Sequence, residues 1–226
     1  MAGRPRLRSD DDILAATARA ISAVGPSLLT LADVAREAGV APATLVQRFG
    51  SKRGLLLAFT KRASAGVEAG FAAVRHETHS PLRALVTHLV AMASGLRTPE
   101  ELSHHLAFLQ LELGDEEFRS ATLHHTDAMV REIAGLLQAA VTAGELEACD
   151  TRQLARAVHV TYNGALITWA IMRTGDIDRF LHDELEFLLE RYRPSPTSMR
   201  AAPKVRGARV SPATQPGSTK TSPAPS

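Results

Sequence analysis

Apolar side chains recur along the chain at three- and four-residue steps, the repeat of one face of an α-helix. Nowhere is there a sustained strand-like alternation rich in β-branched residues. Ile13, Leu14, Ala18 and Ile21 share one face and predict a first helix over about 11–24, with Asp10, Asp11 and Asp12 at the positive end of its dipole. Gly25-Pro26 ends it. A second helix is expected over 31–38, capped by Thr30, supported by Asp33 and closed by Gly39. Pro42 suits the first turn of a third helix, where its missing N–H has no intrahelical role. That helix ends at Phe49-Gly50, and Ser51 caps a fourth that begins at Lys52.

The later punctuation is helical too. Ser80-Pro81 and Thr98-Pro99 each open a helix, the second with Glu101 placed to complete a capping box. Gly114-Asp115 separates that helix from a long one over about 116–143, which Gly144 ends. Asp150 with Gln153 repeats the capping-box pattern ahead of a helix over about 151–174. Gly175-Asp176 introduces a last helix to about Tyr192. From Pro194 onward Pro, Ser, Thr, Ala and Gly dominate, a composition that predicts a disordered tail. The fold class expected is all-α, with about nine helices.

At 226 residues, 45% hydrophobic and 22% charged, the chain has the material of an ordinary globular protein with one large or two small domains. Its single cysteine, Cys149, excludes an intrachain disulfide and a cysteine-rich zinc site. No apolar run is long enough to span a bilayer, and the basic opening MAGRPRLRSDDD lacks the apolar stretch of a signal peptide. A cytoplasmic location is expected. The net charge of +2 hides an asymmetry: residues 1–62 carry +5, residues 63–193 carry −8, and the remainder holds five basic side chains and no acid. A basic head on an acidic body directs a polyanion to the head alone.

The run TLADVAREAGVAPATLVQRFGSKRGLL, residues 30–56, places two short helices around Gly39-Val40-Ala41. Ala35 is small enough for the helices to cross, and Val34, Val40 and Leu45 supply a shared core. This is a helix-turn-helix, whose second helix enters the major groove with its first residues at the base edges. Pro42, Ala43, Thr44, Gln47 and Arg48 would lie on that face: glutamine pairs with adenine, arginine with guanine, and a methyl group meets thymine.

The same run resembles the DNA-binding domain of TetR-family repressors in Thr30, Ala35, Ala38, Gly39, Val40, Thr44, Leu45, Phe49, Ser51, Lys52, Leu55 and Leu56. With the charge and composition of the ends, the resemblance divides the chain into four parts. Residues 1–9 form a basic arm containing Arg4, Arg6 and Arg8, and 10–60 a three-helix DNA-binding domain. Residues 61–193 form a larger ligand-binding and dimerisation body, and 194–226 the tail. It implies a homodimer, joined by its last two helices, that holds a palindromic operator on double-stranded DNA until a small-molecule effector releases it. The DNA-facing set is then Thr30, Pro42, Ala43, Thr44, Gln47, Arg48 and Lys52, with Lys52 as a phosphate contact at a helix start. Two positions depart from the family: Ala41 stands where Ser or Thr usually caps the recognition helix, and Val46 where a phosphate-contacting Tyr is usual.

In the body, Val158, Tyr162, Ala165 and Trp169 share one helix face, as do Ile177, Leu181, Leu185, Leu188 and Tyr192. Met92, Phe108, Met129, Tyr162, Asn163, Trp169 and Met172 are candidate lining of an effector pocket, being apolar with a few polar groups. Nine histidines, among them His104-His105 and His124-His125, raise a metal-responsive alternative, but no i,i+4 pair exists and consecutive helical residues diverge by about 100°. No metal or cofactor is therefore expected. No P-loop, nucleophile elbow, dinucleotide turn or HExxH run is present, so no enzymatic activity is expected. A nonspecific DNA-binding protein is the remaining alternative, which the acidic body opposes.

Overall fold

The computed structural model describes residues 8–75, 79–96 and 98–195. The expectations for Arg4 and Arg6 and for nearly all of the tail lie outside them. Among the described residues there are nine α-helices and no strand: α1 (Asp10–Leu28), α2 (Leu31–Ala38), α3 (Pro42–Phe49), α4 (Lys52–Arg75), α5 (Pro81–Met92), α6 (Pro99–Gly114), α7 (Glu116–Thr142), α8 (Thr151–Met172) and α9 (Ile177–Glu190). The chain through Pro194 forms one compact unit. None of the described helices is long and apolar enough to cross a membrane.

Side-chain caps fix most helix starts. Ser9 with Asp12, Thr30 with Asp33 and Thr98 with Glu101 are reciprocal capping boxes, each satisfying two otherwise orphaned N–H groups. Asp150 caps α8 without help: its carboxylate accepts from Arg152 and Gln153 N–H, and the return bond expected from Gln153 is not made. The first helix contains a break that its continuous helical run conceals. Gly25 has φ 74° and ψ 158°, so the helix proper stops at Val24 and a single turn restarts at Pro26. An added Cβ at Gly25 would stand 2.9 Å from the His104 ring of α6, so both the backbone conformation and the close approach require glycine.

Buried apolar side chains form two clusters. One joins α1–α4 through Ile13, Leu14, Ile21, Leu29, Val34, Leu45, Leu55 and Leu56. The other fills the body around Leu85, Leu89, Leu102, Met129, Ile133, Leu137, Leu181 and Leu185. They are not segregated by chain order, because Phe108 of α6 and Phe118 and Ala121 of α7 belong to the head cluster. Phe108 packs edge-on against both Phe59 and Phe118. α4 runs unbroken past residue 60 and packs along α7, while α1 packs along α6. Within the body, Glu132 of α7 is buried and pairs with Arg75 of α4.

Candidate nucleic-acid interface and the helical body behind it

The turn between α2 and α3 is set by Gly39 in the left-handed region (φ 68°, ψ 38°), with the Val40 N–H bonded to the Ala35 carbonyl at 2.9 Å. α3 then starts at Pro42 with no side-chain cap from Ala41, a loss of about 1 kcal/mol relative to a serine there. Leu45 is fully buried and pins the helix to the head core. The opposite face presents Pro42, Ala43, Val46 and Gln47 to solvent, with Thr44 half-buried at its edge. Thr30 is exposed at the start of α2.

Arg48 is not part of that free face. Its Nη1 donates to the Arg8 carbonyl at 2.6 Å and to the Asp10 carboxylate at 3.0 Å, and its side chain is largely covered. It ties the segment ahead of α1 to the end of the recognition helix, a long-range contact that periodicity does not reveal. Lys52 opens α4, and its Nζ donates to the Ser27 carbonyl at 3.2 Å. Ser51 caps this helix by accepting from the Gly54 N–H. Lys52 also borders a cleft of about 480 Å³ between head and body, floored by Pro26, Leu56, Ala107 and Leu111.

Two contacts that sequence reasoning missed tie the head to the body. Arg53, next to Lys52, reaches Asp115 at the N-cap of α7 with both Nε and Nη2, pairs with Glu117, and lies 5.7 Å from the Phe118 ring centroid. Hydrogen bonds from Arg53 hold the Asp115 carboxyl below its usual range. On α6, His104 Nδ1 lies 2.8 Å from the Ser22 carbonyl of α1. Neither link has a local sequence signal, since the partners are 62 and 82 residues apart.

The seven expected pocket residues do not gather into one site. Phe108 belongs to the head core, where the crossing of α6 over α1 and α4 puts it. Met92 and Met172 lie near helix ends and are exposed, and Asn163 is exposed with its amide donating to the His159 carbonyl at 2.9 Å. Met129, Tyr162 and Trp169 do share the body core. Burial pushes the Tyr162 phenol up to about 12, and Trp169 Nε1 donates to the Gly175 carbonyl. The Cys149 thiol is pushed up by burial and then by Asp150, which disfavours a reactive thiolate. Among the described residues no three His, Cys, Asp or Glu side chains have a metal-holding arrangement.

Residues 13–59, the head just described, match the family model of bacterial regulatory proteins, tetR family. The fold is similar to that of a TetR transcription regulator of Haloarcula marismortui, at 18% identity, 82% of this chain, 98% of that one and TM-score 0.68. Residues 13–59 thus form a DNA-binding domain of the tetR type. A Rhodococcus protein described as a TetR-family regulator is 26% identical over 80% of this chain and 97% of its own, with TM-score 0.60. FadR of Bacillus subtilis, solved in complex with stearoyl-CoA, is 20% identical over 80% and 98%, also at 0.60. No curated protein sequence matches. The TetR-type helix-turn-helix thus occupies the basic end of the molecule, and the larger helical body carries the acidic balance.

Proposed function

We propose that the chain is a dimeric repressor of the TetR family that holds a palindromic operator and releases it when a small molecule occupies the body. The observation that carries this reading is the outer face of α3: Pro42, Ala43 and Gln47 are exposed side by side on a helix whose other face is locked by Leu45. Thr44 completes the reading edge, Thr30 and Lys52 flank it for phosphate, and Arg48 positions the preceding segment.

The second copy docks on the last two helices. The stripes Val158-Tyr162-Ala165-Trp169 and Ile177-Leu181-Leu185 are buried inside the protomer as core, with Leu188 and Tyr192 partly buried against it. What remains for a partner is the other side of α8, where Val160 (69% exposed), Ile167 and Ile171 (77%) line up with Gly164, and Phe187 (69%) on α9. An added Cβ at Gly164 would meet nothing, so a partner helix can approach closely there. Exposed apolar residues on the last two helices suit a self-complementary two-fold interface.

The dimer must hold its recognition helices about 34–36 Å apart, one turn of DNA. Because α6 and α7 contribute Phe108 and Phe118 to the head core, a ligand that repositions these helices changes the heads' separation and lowers DNA affinity by linkage. The stearoyl-CoA bound by FadR supports a ligand-bearing body for this fold.

Footprinting with fragments selected by the purified protein tests the reading: a repressor protects a discrete inverted repeat, whereas even coverage of any DNA would overturn it. In the same assay, Lys52→Ala should weaken operator and random DNA by similar factors. The slope of log affinity against log salt should fall by about 0.9 for each phosphate that Lys52 neutralises, hence by nearly two units for a dimer. An unchanged slope would leave Lys52 with only its structural bond to Ser27.

A further inference from the structure

α4 and α6 both pack on α1 and on α7, and they meet each other edge-on at Phe59 and Phe108, whose ring centroids are 5.8 Å apart. Next to that meeting point the two helices leave open a cleft of about 480 Å³. Lys52 and Leu56 border it from α4, and Ala107 and Leu111 from α6. Each pair is one turn apart and so shares a helix face, which makes two helix faces the walls. The single turn that restarts after Gly25 brings Pro26 and Ser27 to the same space. Pro26 and Leu56 are buried, whereas Ala107 and Leu111 keep accessible surface, so the floor is apolar and open to solvent. The volume lies in the range of small-molecule sites, about 300–1,000 Å³.

The charge in the lining is of one sign: Lys52 and Arg53 border the cleft, and no acid does. The two cations are not equivalent. Arg53 spends its donors on Asp115 and Glu117 and lies over the Phe118 ring. Lys52 is half-buried and gives one hydrogen bond, to the Ser27 carbonyl at 3.2 Å, the long end of the usual range. It has no carboxylate partner among the described residues, and an ammonium carries three donors. An apolar cleft with one uncompensated cation at its edge pairs the two features that orient a small ligand.

We infer that the cleft between α4 and α6 binds a small organic monoanion, its apolar body on Pro26, Leu56, Ala107 and Leu111 and its acid group on the Lys52 ammonium. That contact is a charge-assisted hydrogen bond, stronger than a neutral one. A cationic ligand would face two cations in the lining and no acid. A dianion would bring its second charge toward Asp115 and Glu117, which already hold Arg53. A Lys52 ammonium occupied by the ligand's acid group cannot also neutralise a DNA phosphate, so ligand and DNA oppose each other at one side chain. This consequence rests on the regulator reading, whereas binding itself does not.

Titration calorimetry of the full chain with 4-phenylbutyrate, without DNA, tests the inference. The carboxylate should bind saturably, and 4-phenylbutanol and 4-phenylbutylammonium, of similar shape, should bind several-fold more weakly. Lys52→Met keeps the apolar stem without the charge and should weaken 4-phenylbutyrate by about tenfold, while changing 4-phenylbutanol little. Lys52→Arg keeps the charge and should retain most of the affinity. Ala107→Phe and Leu111→Trp fill the cleft from either turn of α6 and should abolish binding, with circular dichroism confirming the fold of each. In mobility shift, 4-phenylbutyrate should weaken operator binding by the unaltered chain but not by a folded cleft-filling variant. Absence of carboxylate binding, equal or tighter binding of the ammonium, or undiminished affinity in Lys52→Met or in the folded filled variants would each overturn the inference. Such a failure leaves operator binding to be judged by footprinting, and a failed footprint leaves the calorimetry intact.

Discussion

Replacing Gln47 with alanine is expected to remove most operator affinity while leaving the melting temperature and affinity for random DNA nearly unchanged. Gln47 is exposed on the face of α3 opposite Leu45, so its loss opens no cavity and breaks no internal bond among those described. A bidentate contact from glutamine to adenine discriminates by about 1–3 kcal/mol, and a two-fold dimer makes it twice. The combined loss of about 2–6 kcal/mol corresponds to roughly thirtyfold to over ten-thousandfold. Mobility shift at fixed salt on operator and scrambled fragments separates the two affinities. Equal weakening on both would assign Gln47 to the phosphates instead. Arg48→Ala is a useful contrast, because it frees Arg8 and Asp10 and disturbs the approach to any DNA, specific or not.

The second large effect is expected from charging the outer face of α8. Val160→Glu with Ile171→Glu should convert the proposed dimer to a folded monomer, read by light scattering behind size exclusion. Both positions are more than two-thirds exposed in the protomer, so the fold tolerates the charges. Two-fold symmetry doubles them across the interface, where an unpaired buried charge is costly. Operator binding should fall with the dimer, since linking two half-site contacts is worth about 10²–10⁴ in affinity. A variant that stays dimeric and binds normally would move the interface away from α8.

Much of this fold was legible in local chemistry. Thr30, Pro42, Gly39, Ser51 and the Thr98–Glu101 box act within a turn of themselves, and the helices begin and end where those residues stand. Residues 30–56 are equally local, which is why the reading helix could be placed from sequence. Apart from the local Asp150–Gln153 box, the residues whose surroundings differ from expectation have partners distant in the chain. Phe108 has the spacing of a body residue but packs in the head, because α6 crosses α1. Arg48 has the right place on α3 but spends its donors on Arg8 and Asp10. The apolar periodicity of α8 located its core side, whereas the face free for a partner rests on Val160, Ile167 and Ile171.

His104 and His105 are consecutive on α6, yet one lies against the Ser22 carbonyl of α1 and the other is exposed. Neighbours on a helix stand about 100° apart around its axis, so the two side chains meet different surroundings. Gly25 leaves the His104 ring no slack on one side, since a single added methyl would already collide with it. A turn of α6 that drives the His104 ring toward Gly25 therefore meets backbone rather than open space.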